Sequence, residues 1–134
     1  VVGEHDGYGR LTDPVTHRRS VTLGDDPLQM VVRDELIAKA GHDVALYWHL
    51  GEQCRARSIG SNRFEIDFGG GTVTMEFDAA LSVSAEGGSD DPILGWVSRA
   101  YHRKEPTTSL VATCRGQGNI TLCTRITIAP SRPG

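Results

Sequence analysis

The sequence is poor in cysteine. Cys54, Cys114 and Cys123 are its three, among 134 residues. The number is odd and no Cys-x-x-Cys spacing occurs, which excludes a zinc ribbon and a thioredoxin-like site. An excess of positive charge is also missing. Fourteen Lys and Arg against seventeen Asp and Glu give a net charge of −3, which argues against general binding to a phosphate backbone. No apolar run approaches the ~20 residues that a membrane span needs. There is no G-x-x-x-x-G-K-[ST] and no G-x-S-x-G, which removes the P-loop and the nucleophile elbow. The Asp-rich turns do not match an EF-hand. Aromatic residues are scarce at 6%. An initiator Met and a basic-then-apolar leader are absent from the Val1-Val2-Gly3 start. The chain therefore reads as a piece of something longer, and its first residues do not report a location.

What is present is ordinary globular composition, 38% apolar and 23% charged, with 16 glycines that imply many turns. A chain of this length buries roughly two-thirds of its unfolded surface and needs no metal or disulfide to fold. One domain over residues 1–134 is expected.

The dominant signal is alternation with period two. Phe64, Ile66 and Phe68 alternate with Arg63, Glu65 and Asp67. Gly69-Gly70-Gly71 follows, and then Val73, Met75 and Phe77 alternate with polar neighbours. That is a hairpin with one buried and one wet face. Val44, Leu46, Trp48 and Leu50 repeat the pattern, as do Leu81, Val83 and Ala85. Leu110, Ala112 and Cys114 form another strand face, and a long strand runs from Ile120 to Ile128. Thr16–Leu23 and Leu28–Leu36 are strands around a Gly24-Asp25-Asp26-Pro27 turn. Residues 33–40 carry helix propensity, but Met30-Val31-Val32 favours extending the strand to about Leu36. Glu86 to Pro92 reads as an exposed loop. The whole indicates an all-β fold, an antiparallel β-sandwich of about ten short strands.

A Cys114–Cys123 bridge would need the two residues on one face of a hairpin. Matching the apolar faces puts Leu110, Ala112 and Cys114 beside Leu122, Ile126 and Ile128, so Cys123 points away. Three free thiols are expected, with at least one in the core.

The richest polar cluster is Glu4-His5-Asp6-Gly7-Tyr8-Gly9-Arg10-Leu11. An acid, an imidazole, a phenol and a guanidinium are types that bind an acidic sugar or move protons. The structural alternative is that Asp6-Gly7 is a turn and that His5 and Tyr8 tie a strand end to its neighbour. His17 falls on the side of Val21 and Leu23, as a half-buried histidine. Arg18 falls on the other face. His49 shares a face with Tyr47 and Asp43, opposite Trp48, which is read as a core residue. A metal site would have to draw His17, Asp34 and His49 together. No H-x-H or H-x-x-x-H supplies two ligands locally, so no metal is expected. His102, in Tyr101-His102-Arg103-Lys104, reads as an exposed strand end.

His5-Asp6-Gly7-Tyr8-Gly9-Arg10-Leu11, followed by Pro14-Val15-Thr16-His17-Arg18-Arg19, resembles the heparinase II/III-like polysaccharide lyases. Val31-Val32-Arg33-Asp34-Glu35-Leu36 and Gly41-His42-Asp43-Val44…Trp48-His49-Leu50 resemble two further strands of that family, and Tyr101 to Leu110 a later segment. The similarity covers most of the chain.

The resemblance implies a C-terminal antiparallel β-sandwich that partners an N-terminal α/α toroid. The parent would cleave acidic polysaccharide by β-elimination and would be periplasmic or secreted. In the family the catalytic tyrosine comes from the toroid. A further catalytic His, within an H-x-H-x-D stretch, comes from the start of the sandwich; its neighbouring His, a following Asp and a later His-Asn pair bind a metal. This sequence has neither. The resemblance therefore implies no catalytic residue and no cofactor here, with zinc or calcium as the parent's metal. His5, Tyr8, Arg10 and Arg18 are the residues expected to face substrate. Two other readings are an autonomous carbohydrate-binding module and a purely structural or assembly domain. The latter would expose sheet edges and self-associate.

Overall fold

The computed structural model describes residues 1–25, 28–90, 93–98 and 100–131, with residues 89 and 93 described by their backbone alone. Residues 26, 27, 91, 92, 99 and 132–134, and with them part of the turn and loop expected at 24–27 and 86–92, lie outside this set.

The strands are β1 (Val2–Tyr8), β2 (Val15–Asp25), β3 (Leu28–Ile37), β4 (Gly41–His49), β5 (Arg55–Gly60), β6 (Arg63–Asp67), β7 (Gly71–Phe77) and β8 (Ser82–Gly87). Four two-residue segments follow: β9 (Ser89–Asp90), β10 (Ile93–Leu94), β11 (Trp96–Val97) and β12 (Glu105–Pro106). The long strands β13 (Thr108–Gln117) and β14 (Ile120–Pro130) close the chain. Ten of the described strands have five residues or more, and residues 33–37 continue β3, as the β-branched run before them requires. Glu86 and Gly87 belong to β8, and Ser89–Asp90 pairs with Ile93–Leu94, so the expected loop begins later than the sequence suggests.

Seven strands form one antiparallel sheet in the order β1-β2-β3-β14-β7-β6-β5. Three form a second in the order β4-β13-β8. The two sheets face each other across a core of Leu46, Phe64, Ile66, Met75, Phe77, Leu81, Leu110, Ala112 and Leu122. These are the inward members of the alternating runs, so one face of each sheet supplies the core. Phe77 meets Phe64 and Trp48 edge to face, at centroid separations of 6.2 and 6.5 Å.

One expectation is corrected. β13 and β14 are joined by a short turn but are not a hairpin. β13 pairs with β4 and β8, whereas β14 pairs with β3 and β7. Leu110 and Leu122 therefore meet from opposite sheets, because the chain crosses the sandwich at Gly118, whose φ of +72° suits a residue without Cβ. All three thiols are free; Cys54 and Cys114 pack partly buried against the core, and Cys123 is exposed on the outer face.

Candidate functional site

The site grows from the pairing of β1 with β2. His5 stands opposite His17, and Glu4 opposite Arg18. Beyond His5 the register shifts, so that Tyr8 comes opposite Val15. Three residues of β1 thus span two of β2, which is a β-bulge at Asp6-Gly7. Without it, His5 and Tyr8 would point to opposite faces. With it they share one face, and their rings stand 5.6 Å apart.

Pairing continues across the sheet. His17 lies opposite Leu36, and Leu36 opposite Ile120. In the adjacent row Arg19 lies opposite Asp34, and Asp34 opposite Leu122. Asp34 is fully buried. A carboxylate in that position needs partners. Arg19 supplies two, with Nε and Nη2 donating to Oδ1 and Oδ2 at 2.7 and 3.1 Å. His17 supplies a third, with Nε2 at 2.7 Å from Oδ1. On its other side, His17 Nδ1 is 3.3 Å from His5 Nε2. The Arg19 guanidinium also lies over the Trp48 ring, 5.1 Å from its centroid, and so ties the two sheets together.

A second polar clasp lies nearby. Asp13 Oδ2, in the β1–β2 loop, accepts from the backbone N–H of Ala40 at 2.8 Å and of Lys39 at 3.2 Å, and from His42 Nε2 at 2.7 Å. The Ala40 amide, then the His42 ring, hold the Asp13 carboxyl below the usual carboxylate range. This clasp fastens the loop to the start of β4.

Between the β1–β2 end of the large sheet and β4, which is an edge of the small sheet, lies a cleft of about 510 Å³. Tyr8, His17, Arg19, His42, Asp43 and Tyr47 supply its polar lining, and residues such as Leu11 and Val15 its apolar walls. A largely preformed apolar cleft with a few convergent polar groups is the usual form of a small-ligand or side-chain binding site.

The residues expected from sequence to face substrate are divided by this geometry. Tyr8 lines the cleft and His5 stands at its rim, through contacts to Tyr8 and His17. Arg10 is exposed on the turn after β1. Arg18 lies on the outer face of β2, where it pairs with Glu4 at 2.7 Å. Of the three residues weighed for a metal, His17 and Asp34 are brought together, whereas His49 stands in the other sheet with Nδ1 2.8 Å from Ser109 Oγ. Among the described residues no three His, Cys, Asp or Glu side chains are gathered for a metal ion. Arg19, Asp13 and His42 were not singled out as site residues. Arg19 carries a signal that could have found it. Alternation puts it on the face of Val15, His17 and Val21, and a charge on an apolar face requires a buried counter-charge.

The fold is a β-sandwich also found in solved heparinase structures. Residues 1–128 match the family described as Heparinase II/III-like, C-terminal. The chain belongs to that family. Its fold is similar to that of the heparan sulfate lyase HepC from Pedobacter heparinus, with a TM-score of 0.72 and 15% identity, over 99% of this chain and 22% of that one. It is also similar to the heparinase III BT4657 gene product, with a TM-score of 0.73 and 20% identity, over 97% of this chain and 19% of that one. The chain thus spans about a fifth of the length of these solved structures. No curated protein matches it.

Proposed function

We propose that this chain is the C-terminal sandwich of a polysaccharide lyase that acts on acidic glycans by β-elimination. It is non-catalytic by itself, supports an N-terminal toroid, and contacts glycan at the cleft rim through His5 and Tyr8. The match to the family over residues 1–128 carries the reading. The cleft supports the contact, because it presents two phenols, two imidazoles and a guanidinium, together with the Asp43 carboxylate, beside apolar walls. Arg10, exposed on the turn after β1, and Arg18, on the outer face of β2, are the further glycan contacts of this reading. The chain itself takes no cofactor; the parent's metal, zinc or calcium, is held by other residues.

Titration calorimetry with heparan sulfate, heparin and alginate oligosaccharides tests the contact. Weakened binding by Tyr8→Ala with Trp96→Ala unchanged supports it. Loss confined to Trp96→Ala would favour an autonomous binding module. The Lys104 ammonium lies over the Trp96 ring at 4.0 Å, and the Arg19 guanidinium over Trp48 at 5.1 Å.

A further inference from the structure

The pairing of β1 with β2 does what no local spacing does, and sets two histidines side by side. His5 stands directly opposite His17. Residues opposite one another in an antiparallel pair have Cβ atoms about 4.5–5.5 Å apart, within reach of a shared ligand. The facing nitrogens, His5 Nε2 and His17 Nδ1, are 3.3 Å apart. Zinc–imidazole bonds of about 2.0–2.1 Å at the tetrahedral angle put two nitrogens about 3.3–3.4 Å apart. The ring centroids are 5.2 Å apart, with the planes at 83°. A straight N–H···N bond, the form hydrogen bonds prefer, would hold the centroids about 5.6 Å apart at that nitrogen separation. Two rings converging on a tetrahedral ion hold them about 5.2 Å apart. The ring axes therefore bend toward a common point beside the line between the nitrogens.

The surroundings prepare His17 for a ligand's role. The Asp34 carboxylate, gripped by Arg19 at both oxygens, can only accept, so the hydrogen lies on His17 Nε2, 2.7 Å away. Nδ1 is left bare on the side of His5. A carboxylate behind the far nitrogen of an imidazole ligand fixes its tautomer and raises its basicity. His17 is held in place from behind, whereas His5 lies on the exposed edge strand, so an ion reaches the pair from solvent. Coordination through His5 Nε2 moves that ring's hydrogen to Nδ1 and gives up the long contact from Gly7 N–H at 3.3 Å. The other histidines stand apart: His42 is taken by Asp13, His49 by Ser109, and His102 packs on Tyr101.

We propose that His5 and His17 form a two-histidine site for a zinc-type divalent ion, with Asp34 as the carboxylate behind His17. Among the described residues no third His, Cys, Asp or Glu completes the set, so water takes the remaining positions. The ion is an exchangeable ligand at a strand edge, neither a resident cofactor nor the parent's metal. It sits at the cleft rim beside Tyr8, whose ring is 5.6 Å from that of His5.

Zinc chloride titrated into the chain at neutral pH, read by the imidazole ¹⁵N resonances, tests the site. A Cys123→Ser background removes the exposed thiol as a competing ligand. Zinc should move the His5 Nε2 and His17 Nδ1 resonances together, leave the hydrogen on His17 Nε2, and leave His49 and His102 unmoved. A chelator should reverse the change. His5→Ala, at an exposed edge position, should weaken zinc binding about tenfold or more, whereas His102→Ala keeps it. Unmoved His5 and His17 resonances at millimolar zinc, or equal affinity in His5→Ala, would overturn the proposal. No glycan enters the measurement, so its failure is separable from failure of the glycan contact.

Discussion

Asp34 and Arg19 stand opposite each other on β3 and β2, and the guanidinium grips both carboxylate oxygens of a side chain with no exposed surface. The pair lies between Leu122 on one side and the His17–His5 chain on the other, so the same carboxylate serves the core and the cleft rim. A buried pair of this kind is costly to break from one side, because the remaining charge stays buried.

Arg19→Leu is therefore expected to destabilise the fold by about 2–3 kcal/mol, below the figure for a fully buried pair because the guanidinium is partly exposed. Arg19→Lys should recover part of that, since an ammonium makes one contact where the fork makes two. Urea unfolding of the two variants measures both. A loss below about 0.5 kcal/mol for Arg19→Leu, the size of an exposed pair, would show that Asp34 is held by other means.

The register explains why this relationship was hard to read in the sequence. β2, β3, β6, β7 and β14 were legible because each has an apolar side that alternates with a polar one. β1 and β5 were not, and these are the two edges of the large sheet. β1 is exposed along its whole length, so no apolar period marks it. The bulge at Asp6-Gly7 reads as a turn, yet it is what sets His5 and Tyr8 on one face. His5 and Tyr8 were legible as chemistry; the pairing of Arg19 with Asp34 was not, because it depends on which strands become neighbours. The same gap hides the placement of β13 and β14, whose strands go to opposite sheets.

Asp13 gives the β1–β2 loop a pH dependence of known sign. Its carboxyl titrates lower in the folded chain than in the unfolded one, through the Ala40 amide and then His42. The clasp therefore contributes in full above the unfolded carboxylate value of about 3.9 and is lost as pH falls through the lower, folded value. Asp13→Asn should remove that part of the acid limb in a series of urea unfolding curves. Identical acid limbs for the two proteins would contradict it.

The thiols should separate by reactivity. Cys123 is exposed, whereas desolvation by burial, and then the Asp78 charge, push the Cys114 thiol up. The thiolate is the reacting form. Alkylation at neutral pH followed by peptide mapping should label Cys123 well before Cys114. Equal labelling would place Cys114 in open solvent.

The isolated chain should self-associate. Among the described residues β4 is an unpaired edge of the small sheet beside a partly apolar cleft, and Leu11 and Tyr47 are exposed there. Light scattering across a concentration series reads this. A monomer at every concentration would mean that the charged edges, with Glu4 and Arg18 on one side and Arg55 and Arg57 on the other, suffice to prevent it.

The division of labour in the proposed function rests on catalysis lying outside these residues. Incubating the isolated chain with heparan sulfate, heparin and alginate, and following the ultraviolet absorbance of unsaturated uronate, tests it most directly. No product above the substrate blank is expected. Sustained product formation at enzymatic rates would contradict the account and turn attention to the Asp34–His17–His5 chain and Tyr8 as lyase machinery.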